Sequence, residues 1–311
     1  MKNVLITGCS GFLSSYLINE LEKDNNRILG LTEDKSFTSD RFEVIYADIR
    51  DKDKIADTIK NFSPEIIYHL AAVSNVGFSW KNPQLTYEIN FIGSSNLFEA
   101  ANKYSPYVKI ILMSSAEVYS KIKFGKLSEE SATSPNSPYA LSKLAMEMAG
   151  DLYKSDMSIV KVRSFNFTGP GQNISFVSPD FASQIVKIEK GLTEPIIKVG
   201  NLSAKRDFSD VRDIARYLTV IGREGISGEI YNTCSGDVYS ISEILKIMLG
   251  FSYAEIKVVV EEGRLRPVDK PLLAGDNSKI KNEFGLEPKY DLKNTLLDIM
   301  DFYRTKLLSN K

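Results

Sequence analysis

The sequence predicts an α/β fold in which a doubly wound parallel sheet precedes a smaller C-terminal region. Short apolar runs alternate with segments of helical spacing through the first half of the 311 residues. Strands that alternate with helices indicate βαβ units, in which helices cover both faces of a parallel sheet. The second half is richer in turns, and loops separate its helical segments. We therefore expect a sheet domain at 1–162 and a substrate-binding region at 163–311, with a soft boundary because later segments can return to the sheet.

Each expected element follows from the spacing of its apolar residues. Compact apolar runs predict strands, and apolar residues repeated every three or four positions predict helices. The expected strands are Val4–Ile6, Arg27–Leu31, Phe42–Tyr46, Ile66–Leu70 and Lys109–Met113. The expected helices are Ser14–Lys23, Lys52–Asn61, Asp180–Lys190, Val211–Arg223 and Ile241–Leu249.

Composition excludes several classes of protein. Lys and Arg number 39 against 40 Asp and Glu, so a broad basic surface for nucleic acid is not expected. No apolar run approaches the roughly 18 residues that span a bilayer, and glycine at position 8 interrupts the N-terminal run too early for a signal peptide. Two distant cysteines, Cys9 and Cys234, and one histidine predict neither a disulfide framework nor a metal site. A cytoplasmic protein without a membrane partner is expected.

A glycine-rich turn directly follows the first predicted strand. It reads Thr7-Gly8-Cys9-Ser10-Gly11-Phe12-Leu13-Ser14 and opens the first predicted helix. Glycine at 8 permits a tight turn, and glycine at 11 lets a pyrophosphate approach the helix N-terminus. Ser14 stands where a third glycine is usual, and it is small enough for close helix–strand packing. This context predicts a Rossmann-type dinucleotide site, although an ordinary strand–turn–helix is the alternative.

The end of the second strand bears on which dinucleotide binds. An acidic residue there would hold the ribose hydroxyls of NAD, but this strand ends in Thr32, with Glu33 next. Lys35 and Arg41 are close in sequence and could meet a 2′-phosphate. The pattern favours NADP(H) and leaves NAD(H) possible. Asp48 ends the third strand, where its carboxylate would accept from the adenine amino group or serve only as a turn residue.

A tyrosine and a lysine at helical spacing form the candidate catalytic pair. Tyr139 and Lys143 share one helix face, and Ser137-Pro138 just before them suits a helix start. The lysine is expected to lower the pKa of the phenol so that it exchanges a proton near neutral pH. Ser115 ends the fifth strand, where its hydroxyl would bond the same substrate oxygen. An ordinary helix face is the alternative interpretation.

Five ordered motifs resemble the extended short-chain dehydrogenase/reductase family, which reworks nucleotide-activated sugars. They are the glycine turn, Asp48-Ile49, His69-Leu70-Ala71-Ala72, Ser114-Ser115-Ala116-Glu117-Val118-Tyr119 and Tyr139-Ala140-Leu141-Ser142-Lys143. The resemblance implies a catalytic triad of Ser115, Tyr139 and Lys143. It implies cofactor binding by Gly8, Ser10, Gly11, Phe12, Leu13, Thr32, Asp48, Ile49, Leu70, Ala71, Ala72, Asn90, Ser114, Tyr139 and Lys143.

The second half resembles the GDP-mannose branch of that family. The similar segments are 162–172, 179–185, 199–213, 264–269 and 272–279. The resemblance implies substrate binding by Ser74, Ser115, Tyr139, Asn166, Gln184, Lys187, Asn201, Arg206 and Arg266. The two arginines match diphosphate-binding positions, for which planar guanidinium groups are suited, although surface ion pairs are the alternative. The implied reaction is NADPH-dependent reduction of the C4 ketone of GDP-4-dehydro-6-deoxy-D-mannose to GDP-D-rhamnose, or to its C4 epimer GDP-6-deoxy-D-talose.

Three other functions stay open at this stage. Glu117, two residues after Ser115, matches the glutamate of GDP-mannose 4,6-dehydratases and would be catalytic only in that case. A nucleotide-sugar C4 epimerase is a further alternative, as is a non-catalytic NADP-binding regulator. His69 is expected to be structural, and Trp80 either lines the substrate pocket or packs a loop. The resemblance also implies a homodimer that pairs the helices Tyr87–Tyr104 and Tyr139–Tyr153.

Overall fold

The computed structural model describes residues 1–153, 155–264 and 270–309. Its strands are β1 (Asn3–Thr7), β2 (Arg27–Thr32), β3 (Glu43–Tyr46), β4 (Ile66–His69), β5 (Lys109–Ser115), β6 (Ser158–Ser164), β7 (Asn166–Thr168), β8 (Ile196–Val199), β9 (Lys205–Asp210), β10 (Ile230–Thr233), β11 (Val238–Ser240), β12 (Lys257–Val260) and β13 (Leu272–Leu273). Its helices are α1 (Phe12–Glu22), α2 (Lys52–Phe62), α3 (Val76–Lys81), α4 (Pro83–Tyr87), α5 (Gly93–Tyr104), α6 (Pro138–Asp151), α7 (Val177–Glu189), α8 (Val211–Glu224), α9 (Ile241–Leu249), α10 (Ser278–Phe284) and α11 (Leu292–Ser309).

The main sheet has seven strands in the order β3-β2-β1-β4-β5-β6-β10, and every neighbouring pair is parallel. Helices α1 and α8 pack on one face over a core that includes Leu17 and Leu218, and α2 and α5 pack on the other over Ile59 and Leu97. The predicted α/β doubly wound fold is confirmed. Strand order reverses between β1 and β4, which opens a crevice at the carboxyl ends of the strands where ligands bind in such folds.

The C-terminal half contributes to both parts of the molecule. Strand β10 joins the main sheet beside β6, and α8 packs against α1, so segments beyond residue 162 do return to the first part. The remaining segments build a small sheet around β9 and a parallel pair, β8 and β12. Helices α7, α9 and α11 pack together over a separate apolar core. The division at residue 162 stays a prediction.

The helix Pro83–Tyr104 is continuous but not uniform. A π-helical turn, Glu88–Ile92, joins α4 to α5. Such turns are rare and frequently occur at functional sites. Here the turn contains Asn90, whose side chain is fully buried between the sheet and α6. The family resemblance implies a helix at Tyr87–Tyr104 and gives no sign of the widened turn.

Candidate active site

A cavity of about 270 Å³ lies at the carboxyl ends of the central strands, at the crevice between β1 and β4. Its wall combines the glycine turn with the predicted catalytic residues. The predicted residues that line it are Gly8, Gly11, Phe12, Leu13, Leu70, Ala72, Ser74, Ser114, Ser115, Glu117, Tyr139, Lys143 and Asn166. Segments separated by more than a hundred residues in sequence therefore meet at one site.

The glycine turn is shaped to receive a dinucleotide. Gly8 has φ +72°, and a Cβ there would lie 2.8 Å from the backbone nitrogen of Ala71. Gly11 precedes α1 without a side-chain cap, so the first amides of the helix stay available to an anion. The Ser14 hydroxyl donates to the Gly8 carbonyl at 2.7 Å, which explains how serine serves at the third glycine position. A turn with free amides at the start of α1 fits a pyrophosphate.

We expect Gly8→Ala to abolish cofactor binding, because alanine there combines a strained positive φ with a Cβ that clashes with the Ala71 backbone at 2.8 Å. Gly125→Ala is the matched control. Gly125 has φ +82° but faces open space, so its variant carries the conformational strain without the clash. Titration of both variants with NADPH and NADH, followed by nicotinamide fluorescence, checks the expectation. Equal binding by the Gly8 variant and the control would contradict it.

The residues at and after the end of β2 bear on the choice between NADP(H) and NAD(H). Thr32 is 3% exposed, and its hydroxyl is hydrogen-bonded to that of Ser10 at 2.8 Å. This bond joins the glycine turn to the end of β2. Lys35 is exposed, whereas Arg41 is bound to Glu22 and Asn19. The expectation that Arg41 is available for a 2′-phosphate is therefore not met in this structure. Its ion pair with Glu22 holds the Arg41 side chain against α1.

Residues 48 and 49 occupy different environments. Asp48 is partly exposed and accepts two bonds from the Arg50 guanidinium, which hold the pKa of the carboxyl below its usual range. Its carboxylate lies at the end of β3, where an adenine is expected. The Ile49 side chain is 5% exposed and packs against Gly93, so only its backbone can serve the cofactor. The structure thus gives the Ile49 side chain a packing role.

A buried hydrogen-bonded chain connects the glycine turn to α5. Thr7 Oγ1 lies 2.8 Å from His69 Nδ1, and His69 Nε2 lies 2.7 Å from Ser94 Oγ, which donates to the Asn90 carbonyl. Burial lowers the pKa of His69 to about 3, so the ring is neutral and these contacts assign its proton to Nε2. The Thr7 hydroxyl also accepts from the Ala71 amide at 3.2 Å. The predicted structural role of His69 is confirmed, and Ala71 serves through its backbone.

Asn90 positions the catalytic helix. Its amide nitrogen donates to Ser142 Oγ at 2.9 Å and to the Val73 carbonyl at 3.0 Å, and its oxygen accepts from the Val73 amide at 2.7 Å. All three contacts are internal, so Asn90 acts on the site by fixing α6 and the loop after β4. Direct contact with the cofactor stays a prediction.

Ser115, Tyr139 and Lys143 meet in the cavity wall. Ser137 caps α6 by accepting from the Ala140 amide at 3.1 Å, with Pro138 in the first turn, and this helix start places Tyr139 at the cavity. Burial raises the pKa of Tyr139 to about 12, against a hydrogen bond from Ser115 that lowers it. Burial lowers the pKa of Lys143 to about 8. Its ammonium donates to the Met113 carbonyl at 2.7 Å.

The expected effect of Lys143 on the phenol is corrected by this geometry. The lysine was expected to lower the pKa of Tyr139, but burial and the nearby Glu117 charge dominate and raise it. Lys143 is directed to the backbone of β5 instead. A phenol with a raised pKa stays protonated at neutral pH, which suits a proton donor rather than a base.

A buried ion pair next to Lys143 has no counterpart in the sequence prediction. Glu147 is 3% exposed in its side chain and lies 2.7 Å from Arg163, which is 6% exposed. The Ser114 hydroxyl donates to the same carboxylate, and Glu147 raises the pKa of Lys143 against the stronger effect of burial. The spacing of Lys143 and Glu147, one helix turn apart, was the available signal.

Glu117 also lines the cavity and has a buried partner. Lys270, which is 1% exposed, places its ammonium 3.4 Å from the Glu117 carboxylate. Sequence reasoning singled out Glu117 but not Lys270, because the two are distant in sequence and a lone lysine carries no motif.

A second, outer cavity of about 1030 Å³ meets the first at Asn75, Asn166 and Phe176. Asn201 and Arg206 line it, as predicted, and so does Trp80, which settles the choice between pocket and loop packing. Arg264 lines it too and was not predicted. Arg266 lies outside the described residues.

Two predicted substrate residues lie elsewhere. The side-chain amide of Gln184 bonds the Lys198 backbone at 2.9 and 3.0 Å and the Asp180 carboxylate at 2.9 Å, so it joins α7 to β8. Lys187 lies one turn further along α7, and neither side chain is among the described residues that line the two cavities. That Gln184 and Lys187 bind substrate stays a prediction.

Comparison with known proteins identifies the family. The model of a family described as GDP-mannose 4,6 dehydratase matches residues 5–299. The chain belongs to this family. The predicted resemblance to extended short-chain dehydrogenases/reductases is thereby confirmed. Like its relatives, the chain is an NAD(P)-dependent enzyme, and its cofactor is a nicotinamide dinucleotide.

Individual relatives are similar over nearly their whole lengths. A GDP-6-deoxy-D-mannose reductase of Pseudomonas aeruginosa is 27% identical, with 98% of each chain covered. A GDP-6-deoxy-D-talose 4-dehydrogenase of Aggregatibacter actinomycetemcomitans is 30% identical, again with 98% of each covered. Among solved structures, one described as RMD from Pseudomonas aeruginosa complexed with NADPH has TM-score 0.85 and 25% identity, covering 98% of this chain and 100% of that one. Family members thus differ in reaction while sharing this fold.

Proposed function

We propose that the protein reduces the C4 ketone of GDP-4-dehydro-6-deoxy-D-mannose with NADPH. The observation that carries the proposal is the placement of Ser115, Tyr139 and Lys143 in one cavity with the glycine turn. The reductase and the talose dehydrogenase, each similar over 98% of this chain, both act by name on GDP-6-deoxy sugars. The test is consumption of NADPH when the ketone is added, with a product heavier by two hydrogen atoms.

The proposed chemistry assigns each residue a separate task. The bound nicotinamide supplies the hydride for C4. Tyr139 gives its phenolic proton to the C4 oxygen. The raised pKa of Tyr139, about 12, keeps that proton on the phenol at neutral pH until it is transferred. Ser115 donates a hydrogen bond to the same oxygen as negative charge develops there. Lys143, with a pKa of about 8, is mostly protonated at neutral pH, and its ammonium would hold the nicotinamide ribose.

The outer cavity accounts for the nucleotide part of the substrate. Its volume of about 1030 Å³ suits a nucleoside diphosphate, and Arg206 and Arg264 bring two guanidinium groups to its wall. Arg206 is 5% exposed and donates to the Lys270 carbonyl at 2.7 Å, so its direction is fixed before substrate arrives. A diphosphate bound there would direct the sugar through the junction at Asn166 towards Tyr139. Arg266 stays a proposed diphosphate ligand on the basis of resemblance alone.

The product is GDP-D-rhamnose if hydride reaches one face of C4, and GDP-6-deoxy-D-talose if it reaches the other. The relative named GDP-6-deoxy-D-mannose reductase supports GDP-D-rhamnose, and the relative named GDP-6-deoxy-D-talose 4-dehydrogenase supports GDP-6-deoxy-D-talose. Proton NMR of the isolated product, through the couplings of H4, distinguishes the two. We propose GDP-D-rhamnose as the product.

Dehydration of GDP-mannose is the second candidate, because Glu117 lines the same cavity. Against it, the Glu117 carboxylate is paired with the Lys270 ammonium at 3.4 Å, which opposes its use as an acid or base. An epimerase needs the sugar to rotate between two hydride transfers, and a non-catalytic regulator would not need the triad that is present. The epimerase and the regulator therefore have less support than reduction as the function of this chain.

NADP(H) is the proposed cofactor, with NAD(H) as the alternative. Thr32 is neutral and buried at the position where NAD enzymes of this fold carry an acid, and exposed Lys35 lies close in sequence. Relatives have been solved with NADPH and with NAD. The cytoplasm is the proposed location, which is supported by the free thiols of Cys9 and Cys234. None of the helices in the described ranges is long and apolar enough to cross a membrane.

We propose a homodimer through α6 and the helix Pro83–Tyr104. Leu141 and Met148 on α6 leave 48% and 62% of their surface exposed, and Leu152, directly after the helix, leaves 80%. Ile92 on the neighbouring helix leaves 47%. Residues 141, 148 and 152 recur at helical spacing, so they form one apolar face. We expect light scattering to give twice the chain mass and Met148→Asp to give a monomer. A wild-type protein with the mass of one chain would contradict the dimer.

A further inference from the structure

Lys270 is a buried lysine placed behind the turn that follows Ser115. Its ammonium donates to the Glu117 carbonyl at 2.6 Å and to the Tyr119 carbonyl at 2.8 Å, and it lies 3.4 Å from the Glu117 carboxylate. An ammonium has three N–H donors, of which the two carbonyls take two, and the carboxylate lies within ion-pair distance. Burying a charge in this way is costly unless it is fully paired. The proposed reduction itself uses no such residue.

The backbone of Lys270 is bound to the strand that carries the outer-cavity arginine. Arg206 donates to the Lys270 carbonyl at 2.7 Å, and the Lys205 amide donates to the next carbonyl, that of Pro271, at 2.9 Å. The side chain of Lys270 meanwhile binds the turn Ala116–Val118, which lies between Ser115 and Tyr119. One residue therefore connects the diphosphate end of the cavities with the catalytic end.

The charges around Lys270 affect the pKa of Tyr139, the proposed proton donor. Glu117 raises the pKa of Tyr139, in addition to the larger effect of burial. Burial lowers the pKa of Lys270, and Glu117 opposes that shift, while Arg206 and Lys121 add to it. A cation held at 3.4 Å from the Glu117 carboxylate offsets the negative charge that would otherwise act on the phenol.

We propose that Lys270 is a positioning residue of the active site, which holds the Glu117 carboxylate in an ion pair and so limits the cost of forming the tyrosinate when Tyr139 gives up its proton. The inference rests on the proposed reduction. Without the pair, a free carboxylate near Tyr139 disfavours the tyrosinate formed on proton transfer. The pair also withholds Glu117 from acid–base work, which elimination of water would need.

A double-mutant cycle tests the pair through catalysis. Lys270→Met in the wild-type background is expected to lower kcat about tenfold, with the KM for NADPH changed less than about twofold. In the Glu117→Gln background the same substitution is expected to lower kcat less than about twofold, because the charge to be neutralised is gone. Lys279→Met is the matched control, since Lys279 also binds one carboxylate and one carbonyl, those of Glu229 and Ile230. It is expected to leave kcat unchanged.

Two results would overturn the inference. The first is an unchanged kcat in Lys270→Met. The second is an equal loss of kcat in both backgrounds, because Lys270 would then act only by binding the two backbone carbonyls.

Thermal unfolding of wild type, the two single variants and the double variant gives a readout that needs no substrate. The Tm loss from Lys270→Met is expected to be at least halved in the Glu117→Gln background, and additive losses would contradict the pair. If Lys270→Met does not fold, Lys270→Gln takes its place in both cycles. Wild-type protein without reductase activity would contradict the proposed function and still leave the unfolding cycle to test the pair.

Discussion

Tyr139→Phe is expected to lower kcat by about two to four orders of magnitude while cofactor affinity stays within about twofold. The variant removes only the phenolic oxygen, so the cavity keeps its shape and the cofactor its contacts. Without that oxygen, the charge developing on the C4 oxygen of the ketone has no proton donor in the proposed mechanism. Steady-state kinetics of NADPH oxidation, together with a cofactor titration, check both parts of the expectation.

Tyr231→Phe is the control for Tyr139→Phe. Tyr231 is also buried, with a pKa raised to about 12, but its hydroxyl bonds Glu283 and lies outside both cavities. Its variant is expected to lose some stability and no more than about half of kcat. Full turnover by Tyr139→Phe would exclude the phenol as the proton donor. A proportional loss in both variants would indicate a general effect of disturbing the fold.

Arg163→Met is expected to destabilise the fold by about 3–5 kcal/mol, because it leaves the Glu147 carboxylate buried without its partner. The pair is almost completely removed from solvent, at 6% and 3% exposure. Arg223→Met is the matched control, since its ion pair with Asp24 is 47% and 39% exposed. Exposed pairs contribute about 0–1 kcal/mol. Urea unfolding at neutral pH measures both variants.

Equal and small losses in the two arginine variants would contradict the buried-pair account. A further consequence separates stability from chemistry. Glu147 raises the pKa of Lys143 against burial, so an Arg163 variant that displaces the Glu147 carboxylate would also weaken the support for the Lys143 ammonium. Its kcat should therefore fall at a temperature where the variant is still folded.

The sequence was most informative where local spacing determines the outcome. The alternation of elements predicted the parallel sheet, and the glycine turn predicted the position of the crevice. Ser137-Pro138 predicted the start of α6 and thus the presentation of Tyr139 and Lys143. Ser14 at the third glycine position was accepted on size alone, and the structure adds its hydrogen bond to Gly8.

Features that depend on long-range contacts could not be predicted in this way. Lys270 meets Glu117 across more than 150 residues, and Arg163 reaches Glu147 only because β6 lies beside β5 and α6 packs over both. Arg41 was placed near the cofactor by proximity in sequence, but Glu22 and Asn19 bind it. The effect of Lys143 on Tyr139 was misjudged because burial, which spacing does not reveal, dominates the pKa.

The most direct test of the account is the absorbance of NADPH on mixing with purified protein and GDP-4-dehydro-6-deoxy-D-mannose, with NADH in a parallel cuvette. The account predicts oxidation of one NADPH for each ketone consumed, at a higher kcat/KM than with NADH. Absence of oxidation by a folded protein that binds NADPH would contradict it. GDP-mannose would then be tested with NADP⁺, and loss of water from the sugar would assign the Glu117 carboxylate to catalysis.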